Sequence, residues 1–238
     1  EDTRRTRVLL DRYGVKARLL SYHEHNERAR AAELVERMRD GATVALVSDA
    51  GMPLVSDPGY LLVRGAVAAG LPVEVLPGPS AAITALVASG LPTAEWHFQG
   101  FLPRKKAALR KALAEPGATM VAFESPRRVP ATLAAVAELE PEREVAVCRE
   151  LTKAHEEIVR GSARELAERY AGAPPKGEVV LVLAPVEDSG GDPTGGAGLD
   201  ALRDLVAAGA KPRPAAAVVA RLTGASANRL YEELTAER

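Results

Sequence analysis

The chain has 238 residues, a formal net charge of -1, 47% hydrophobic and 26% charged residues, the composition of a globular protein with one large or two modest cores. That balance excludes a global basic field aimed at nucleic acid and leaves room only for a local basic patch. The single cysteine, Cys148, excludes an internal disulfide and a cysteine-built metal site, and no apolar run approaches the ~18 residues that span a bilayer.

In chain order, 3–13 reads as a helix stopped by Gly14. A short extended piece, 17–21, leads to a helix that starts at Asn26 and ends near Arg39, with Leu34, Val35 and Met38 as its apolar stripe. The run 42–47 reads as a strand. It delivers the stretch 48–59, S-D-A-G-M-P-L-V-S-D-P-G, which holds two glycines, two prolines and two aspartates and so is a loop. A helix over 60–69 and a strand over 73–76 follow. A second loop, P-G-P-S-A-A (77–82), then opens a helix to about Ser89. This βαβα rhythm predicts a parallel α/β sheet.

Beyond residue 93 the pattern changes. Strands are expected at 96–101, 118–123, 144–148, 156–159 and 178–183, with helices ending near Leu113, carrying Val129, Leu133 and Val136, and ending near Tyr170 behind a Ser162/Glu165 capping box. This second α/β domain reads as a mixed sheet. The expected organisation is an N-terminal α/β domain over 1–93, a C-terminal α/β domain over 94–187, a Gly/Pro/Asp/Ser linker over 188–198, and a helical tail over 199–238. The tail reads as three short helices, at 199–207, 214–222 and 226–234, with a turn at 223–225. It reads first as a packing or dimer element and second as a helix-turn-helix.

No dinucleotide, P-loop, zincin or nucleophile-elbow motif occurs. The four histidines read as surface residues and no metal is expected. Loops 48–59 and 77–82 leave successive strand ends, where α/β proteins bind ligands. Gly51 and Gly59 let backbone approach a ligand. Pro53 and Pro58 stiffen the loop. Asp49 and Asp57 offer acceptors to a hydroxyl or an ammonium. Neither loop contains Lys or Arg, which argues against a phosphate ligand. In the second half, E-S-P-R-R (124–128) and R-E-L-T-K (149–153) end two strands with mixed charge. Arg104, Lys105 and Lys106, with Arg110 and Lys111, form a basic patch that reads equally as a solvated helix face and as an RNA-facing surface.

E-D-T-R (1–4), the long loop motif, P-G-P-S-A, F-E-S-P-R-R and R-E-L-T-K-x-H-E-E together resemble the ribosomal RNA small subunit methyltransferase I family of the tetrapyrrole-methylase superfamily. The likeness spans nearly the whole chain. It implies two α/β domains with S-adenosylmethionine (SAM) in the cleft between them, a cytoplasmic homodimer, and 2'-O-methylation of a cytidine ribose in 16S rRNA of the 30S subunit. Members carry a strand and a P-T-P-I-G-N-L-type loop ahead of E-D-T-R. This sequence starts at Glu1, so the resemblance implies an N-terminal domain without its first strand and without one wall of the SAM site. It places Asp49, Gly51, Pro53, Asp57, Ser80 and Ala81 at the cofactor, with Phe123, Cys148 and Gly177 bordering its adenine side. It places Arg4, Arg5, Arg104, Lys105, Lys106, Arg127 and Arg128 on the RNA. A base for the weakly acidic 2'-hydroxyl would come from Glu124, Glu150 or Lys153. The alternatives are a SAM-dependent methyltransferase of a tetrapyrrole precursor and a non-catalytic RNA- or nucleotide-binding module.

Overall fold

The computed structural model describes residues 2–186, 197–223 and 227–236. Helices α1 (Thr3–Tyr13), α2 (Glu27–Arg39), α3 (Tyr60–Ala68) and α4 (Ala81–Ser89) come first. Then follow β1 (Trp96–Phe101), α5 (Lys106–Leu113), β2 (Thr119–Glu124), α6 (Val129–Leu139), β3 (Glu144–Arg149), β4 (Glu157–Ser162), α7 (Ala163–Tyr170) and β5 (Val179–Leu183). The tail holds α8 (Ala197–Ala207), α9 (Pro212–Thr223) and α10 (Ala227–Ala236). Most of the expected linker, and the middle of the expected turn at 223–225, lie outside the described residues.

The strands form one mixed sheet in the order β1-β2-β5-β3-β4. β1 and β2 are parallel, and the other neighbours are antiparallel. The register pairs Glu124 and Arg149 with Val179, and Arg149 with Glu157. The last residues of β1, β2 and β3 therefore share one end of the sheet with the first residues of β4 and β5. The mixed-charge loops that follow β2 and β3 leave from that end.

The central strands are buried on both faces, so they read as unbroken apolar runs. Met120, Val147 and Leu181 face α5, α6 and α7 and join Leu109, Leu133 and Leu166 in one core. Val121, Cys148 and Val182 face α4 and join Ala82, Ala85 and Leu86 in another. Fully buried Leu133 and Val136 on α6 contribute about 1.5–3 kcal/mol each by leaving water. The Ser162/Glu165 capping box forms as expected and starts α7. The tail helices have their own small core around Leu202 and Leu230. Among the described residues no helix is long and apolar enough to cross a membrane.

Two expectations are corrected. The runs 42–47 and 73–76 are not strands: among the described residues 2–93 there are helices but no β ladder. Their apolar residues have strand periodicity, but a strand also requires a hydrogen-bonded neighbour, and none pairs with them. Val44 and Leu46 pack instead on the α2–α3 cluster around Leu34, Val35 and Leu62, while Val47, Val75 and Leu76 stay exposed. The histidines do not all lie on the surface either: His23 is half-buried, and its ring nitrogen Nε2 lies 3.1 Å from Asn26 Nδ2.

The sheet also draws on the chain before residue 93. α4 belongs to the first half by sequence, yet it forms the second layer of the sheet. Arg160 of β4 fixes it there, donating to Ser89 O at 2.9 Å and also to Ala88 O. Those are carbonyls that a helix end leaves unpaired.

Candidate functional site

Loop 48–59 is drawn closed at its neck, where Ser48 Oγ donates to Asp57 Oδ2. Leu54 and Ser56 adopt positive φ, 69° and 63°, a conformation that costs of order 1 kcal/mol or more for each non-glycine residue. Gly59 has φ 141°, and a Cβ there would lie 2.6 Å from side-chain atoms of Leu46 and Leu54. Only glycine fits. It serves as the N-cap of α3 and has no side chain to cap with. Glu27 of α2 supplies the missing acceptor: its Oε1 receives Gly59 N at 2.9 Å, Leu61 N at 3.1 Å and Tyr22 Oη at 3.3 Å. The sequence reading missed Glu27. The available signal was a helix whose N-cap is glycine.

The second loop lies against the first. A Cβ at Gly51 would be 3.2 Å from Pro79 O, and one at Gly78 would be 3.1 Å from Met52 Sδ. Pro53 is half-buried in the same contact region of sequence, and Ala81 is exposed at the start of α4. Ser80 caps α4, its Oγ accepting from Ile83 N at 3.4 Å. Asp49 reaches the other way and accepts the Asp2 N–H at 3.1 and 3.3 Å. Asp2 caps α1 and pairs with Arg4 at 2.7 Å; Arg4 and Arg5 are both exposed. The loop also reaches the sheet, because a Cβ at Gly100 would be 3.8 Å from Ser56 Oγ. Next to Gly100, the Phe101 ring packs edge-on to Phe123 at 5.6 Å.

The shared sheet end gathers the rest. Glu124 is buried, and its oxygens accept from Ser125 N and Thr132 Oγ1, both at 2.7 Å, and face Arg128 Nη2 at 3.3 Å. Arg128 also donates to Leu102 O at 3.1 Å and Pro103 O at 2.7 Å. It thereby holds the exposed Arg104, Lys105 and Lys106 beside the exposed Arg127. Glu150, at φ 49°, receives Glu178 N and Lys153 Nζ, both at 2.9 Å. Lys153 Nζ also meets Glu178 Oε2 at 3.0 Å. The Glu178 N–H and then Lys153 hold the Glu150 carboxyl below its ordinary range, and the two carboxylates in turn raise the Lys153 ammonium. A Cβ at Gly177 would come within 2.5 Å of the Glu150 carboxyl, so Glu150 occupies the space a side chain there would need. Cys148 is the exception. Its side chain is fully buried beneath α4, 4.0 Å from Ala85 O.

The two loops therefore pack on each other, the first also approaches the end of β1, and the acidic loop side lies next to a sheet end of mixed charge. The loop side matches a small cationic ligand with hydroxyls. It carries Asp49 and Asp57 and no Lys or Arg, and of its two glycines Gly51 is exposed while Gly59 is buried. Among the described residues no cluster of His, Cys, Asp and Glu could hold a metal ion.

Residues 2–167 match the family of tetrapyrrole (corrin/porphyrin) methylases. The chain is 46% identical over 239 residues to ribosomal RNA small subunit methyltransferase I of Mesorhizobium japonicum, covering 98% of this chain and 80% of that protein. It is 43% identical over 238 residues to the protein of the same name from Micromonospora olivasterospora, covering 98% and 76%. Among solved structures it resembles uroporphyrin-III-C-methyltransferase from Thermus thermophilus, with TM-score 0.51 and 26% identity over 71% of this chain and 74% of that one.

Proposed function

Because the chain belongs to the tetrapyrrole (corrin/porphyrin) methylase family, in its ribosomal RNA small subunit methyltransferase I branch, we propose that it transfers a methyl group from SAM to the ribose 2'-oxygen of a cytidine in 16S rRNA of the 30S subunit. The observation that carries this reading is the seating of loop 48–59 against the 77–80 loop on one side and β1 on the other. It sets the loop that carries Asp49 and Asp57 beside the end of β1.

SAM would supply an electrophilic methyl on a sulfonium to the 2'-oxygen, the S–C bond breaking to leave S-adenosylhomocysteine and the 2'-hydroxyl proton passing to solvent. The protein supplies alignment and field. Asp49, Gly51, Pro53 and Asp57 line the cofactor side, with main-chain groups at Ser80 and Ala81. Phe123 and Gly177 border the other side, and Cys148, its side chain buried under α4, only supports that strand end from within the core. Among the three candidate bases, Glu124 is sealed in the core and Lys153 keeps its proton. Glu150 is ionised and partly open, so it is the group that accepts a hydrogen bond from the 2'-hydroxyl. Arg5, Arg104, Lys105, Lys106 and Arg127 hold the RNA. Arg4 and Arg128 position their neighbours. The enzyme works as a homodimer in the cytoplasm, with the exposed Val8, Leu9 and Tyr13 of α1 as an apolar face for the second subunit.

The test offers methyl-labelled SAM with either undermethylated 30S subunits or a porphyrinogen. Label recovered as 2'-O-methylcytidine from 16S rRNA is the expected result. Label in the porphyrinogen alone would establish the tetrapyrrole reading, and no transfer to either would leave a binding module.

A further inference from the structure

A cleft lies between the turn that follows β2 and the turn that precedes β5. It is an open groove of about 530 Å³ lined by residues 125–127 and 174–177. Its walls include Pro126, Pro174 and Pro175, whose fixed φ makes them stiff. Its two cations are Arg127 and Lys176, both exposed and neither with a hydrogen-bond or ion-pair partner among the described residues.

The neighbouring acids are committed elsewhere. Glu124 faces Arg128, and Glu150 and Glu178 share Lys153. Two uncompensated cations on separate turns, divided by an apolar wall, suit an anion attached to a flat apolar body. They do not form the nest of backbone N–H groups that would trap a free inorganic anion. The cleft borders Gly177 and, through it, Glu150.

We propose that this cleft is a nucleotide subsite for single-stranded RNA. Arg127 and Lys176 hold a phosphodiester, and the nucleoside lies on the proline faces, beside the ribose to be methylated. The proposal rests on the rRNA reading above, and it adds Lys176 and the 174–175 wall to the substrate-binding set.

The test measures binding of undermethylated 30S subunits by the full chain across a range of salt concentrations, with SAM affinity followed by calorimetry. In the Arg127→Ala/Lys176→Ala double variant the salt slope should fall by roughly one to two units and affinity at moderate salt by roughly tenfold, with SAM affinity unchanged. The charge-preserving Arg127→Lys/Lys176→Arg variant should keep the slope. A double variant that binds 30S subunits with the parent slope overturns the subsite while leaving the rRNA reading intact. A parent protein that binds no 30S subunits overturns the reading and the subsite together.

Discussion

Arg128 donates to the carbonyl oxygen of Pro103 at 2.7 Å, and this bond joins the loop after β1 to the turn after β2. The same guanidinium faces the buried Glu124. Arg128→Met should therefore leave that carboxylate without its cation and lower stability by about 1–3 kcal/mol. Urea melts should show an earlier midpoint with an unchanged m-value. An unchanged midpoint would show that the bracket contributes nothing.

Asp49→Ala removes the acceptor for the Asp2 N–H together with one of the two charges on the loop. SAM affinity should drop by roughly tenfold, or about 1.4 kcal/mol. Calorimetry measures it directly, and a parent-like Kd would dissociate the loop from the cofactor.

Replacing Arg104, Lys105 and Lys106 by Ala should lower the salt slope of rRNA binding by about two and leave thermal stability near that of the parent. These cations sit at the start of α5, where the first turn has no acid and Lys105 makes no side-chain cap. Positive charge is unfavourable at that end of a helix. Removing it costs the fold little, so a large fall in Tm would return the patch to a structural role.

Glu150 carries a pH dependence. The Glu178 N–H and Lys153 depress its native pKa. Its contribution is therefore present above the unfolded carboxyl value of about 4.3 and is lost as pH falls through the lower native value. Lys153 is raised in the native state, so its share is present below the unfolded lysine value and is lost as pH rises through the native one. The Tm gap between the parent and Glu150→Gln should be widest near neutrality and narrow at both extremes. A gap independent of pH would sink this assignment.

The Cys148 thiol is pushed up to about 11, chiefly by burial. At pH 7–8 a disulfide reagent should leave the native protein unlabelled and modify one thiol per chain after denaturation. Rapid labelling of the native protein would mean that α4 does not shield the sheet as described.

The second half was legible because its strands are dense runs of β-branched and apolar residues separated by turn residues. The Ser162/Glu165 capping box is a local signal as well. Loop 48–59 stood out from its glycines and prolines. What stayed hidden was non-local. Apolar periodicity over 42–47 and 73–76 signals an extended segment but does not say what will pair with it. The bond from Gly59 N–H to Glu27 spans 32 residues, and a glycine N-cap calls for an acceptor without saying which residue supplies it. Arg128 reads as one more cation in a basic run until its carbonyl partners at Leu102 and Pro103 are seen. The burial of Cys148 follows from α4 crossing β3, which its own strand does not encode.

The placement of α4 bears on modularity. Cutting the chain between residues 90 and 95 would sever one covalent bond but not separate two self-sufficient pieces. The sheet-bearing fragment would lose a whole layer and open the apolar face around Val121, Ala146 and Val182 to water. The partner fragment would carry away the helix end whose carbonyls Arg160 satisfies. A cut that keeps α4 with the sheet, ahead of residue 80, is the one that would leave that layer whole.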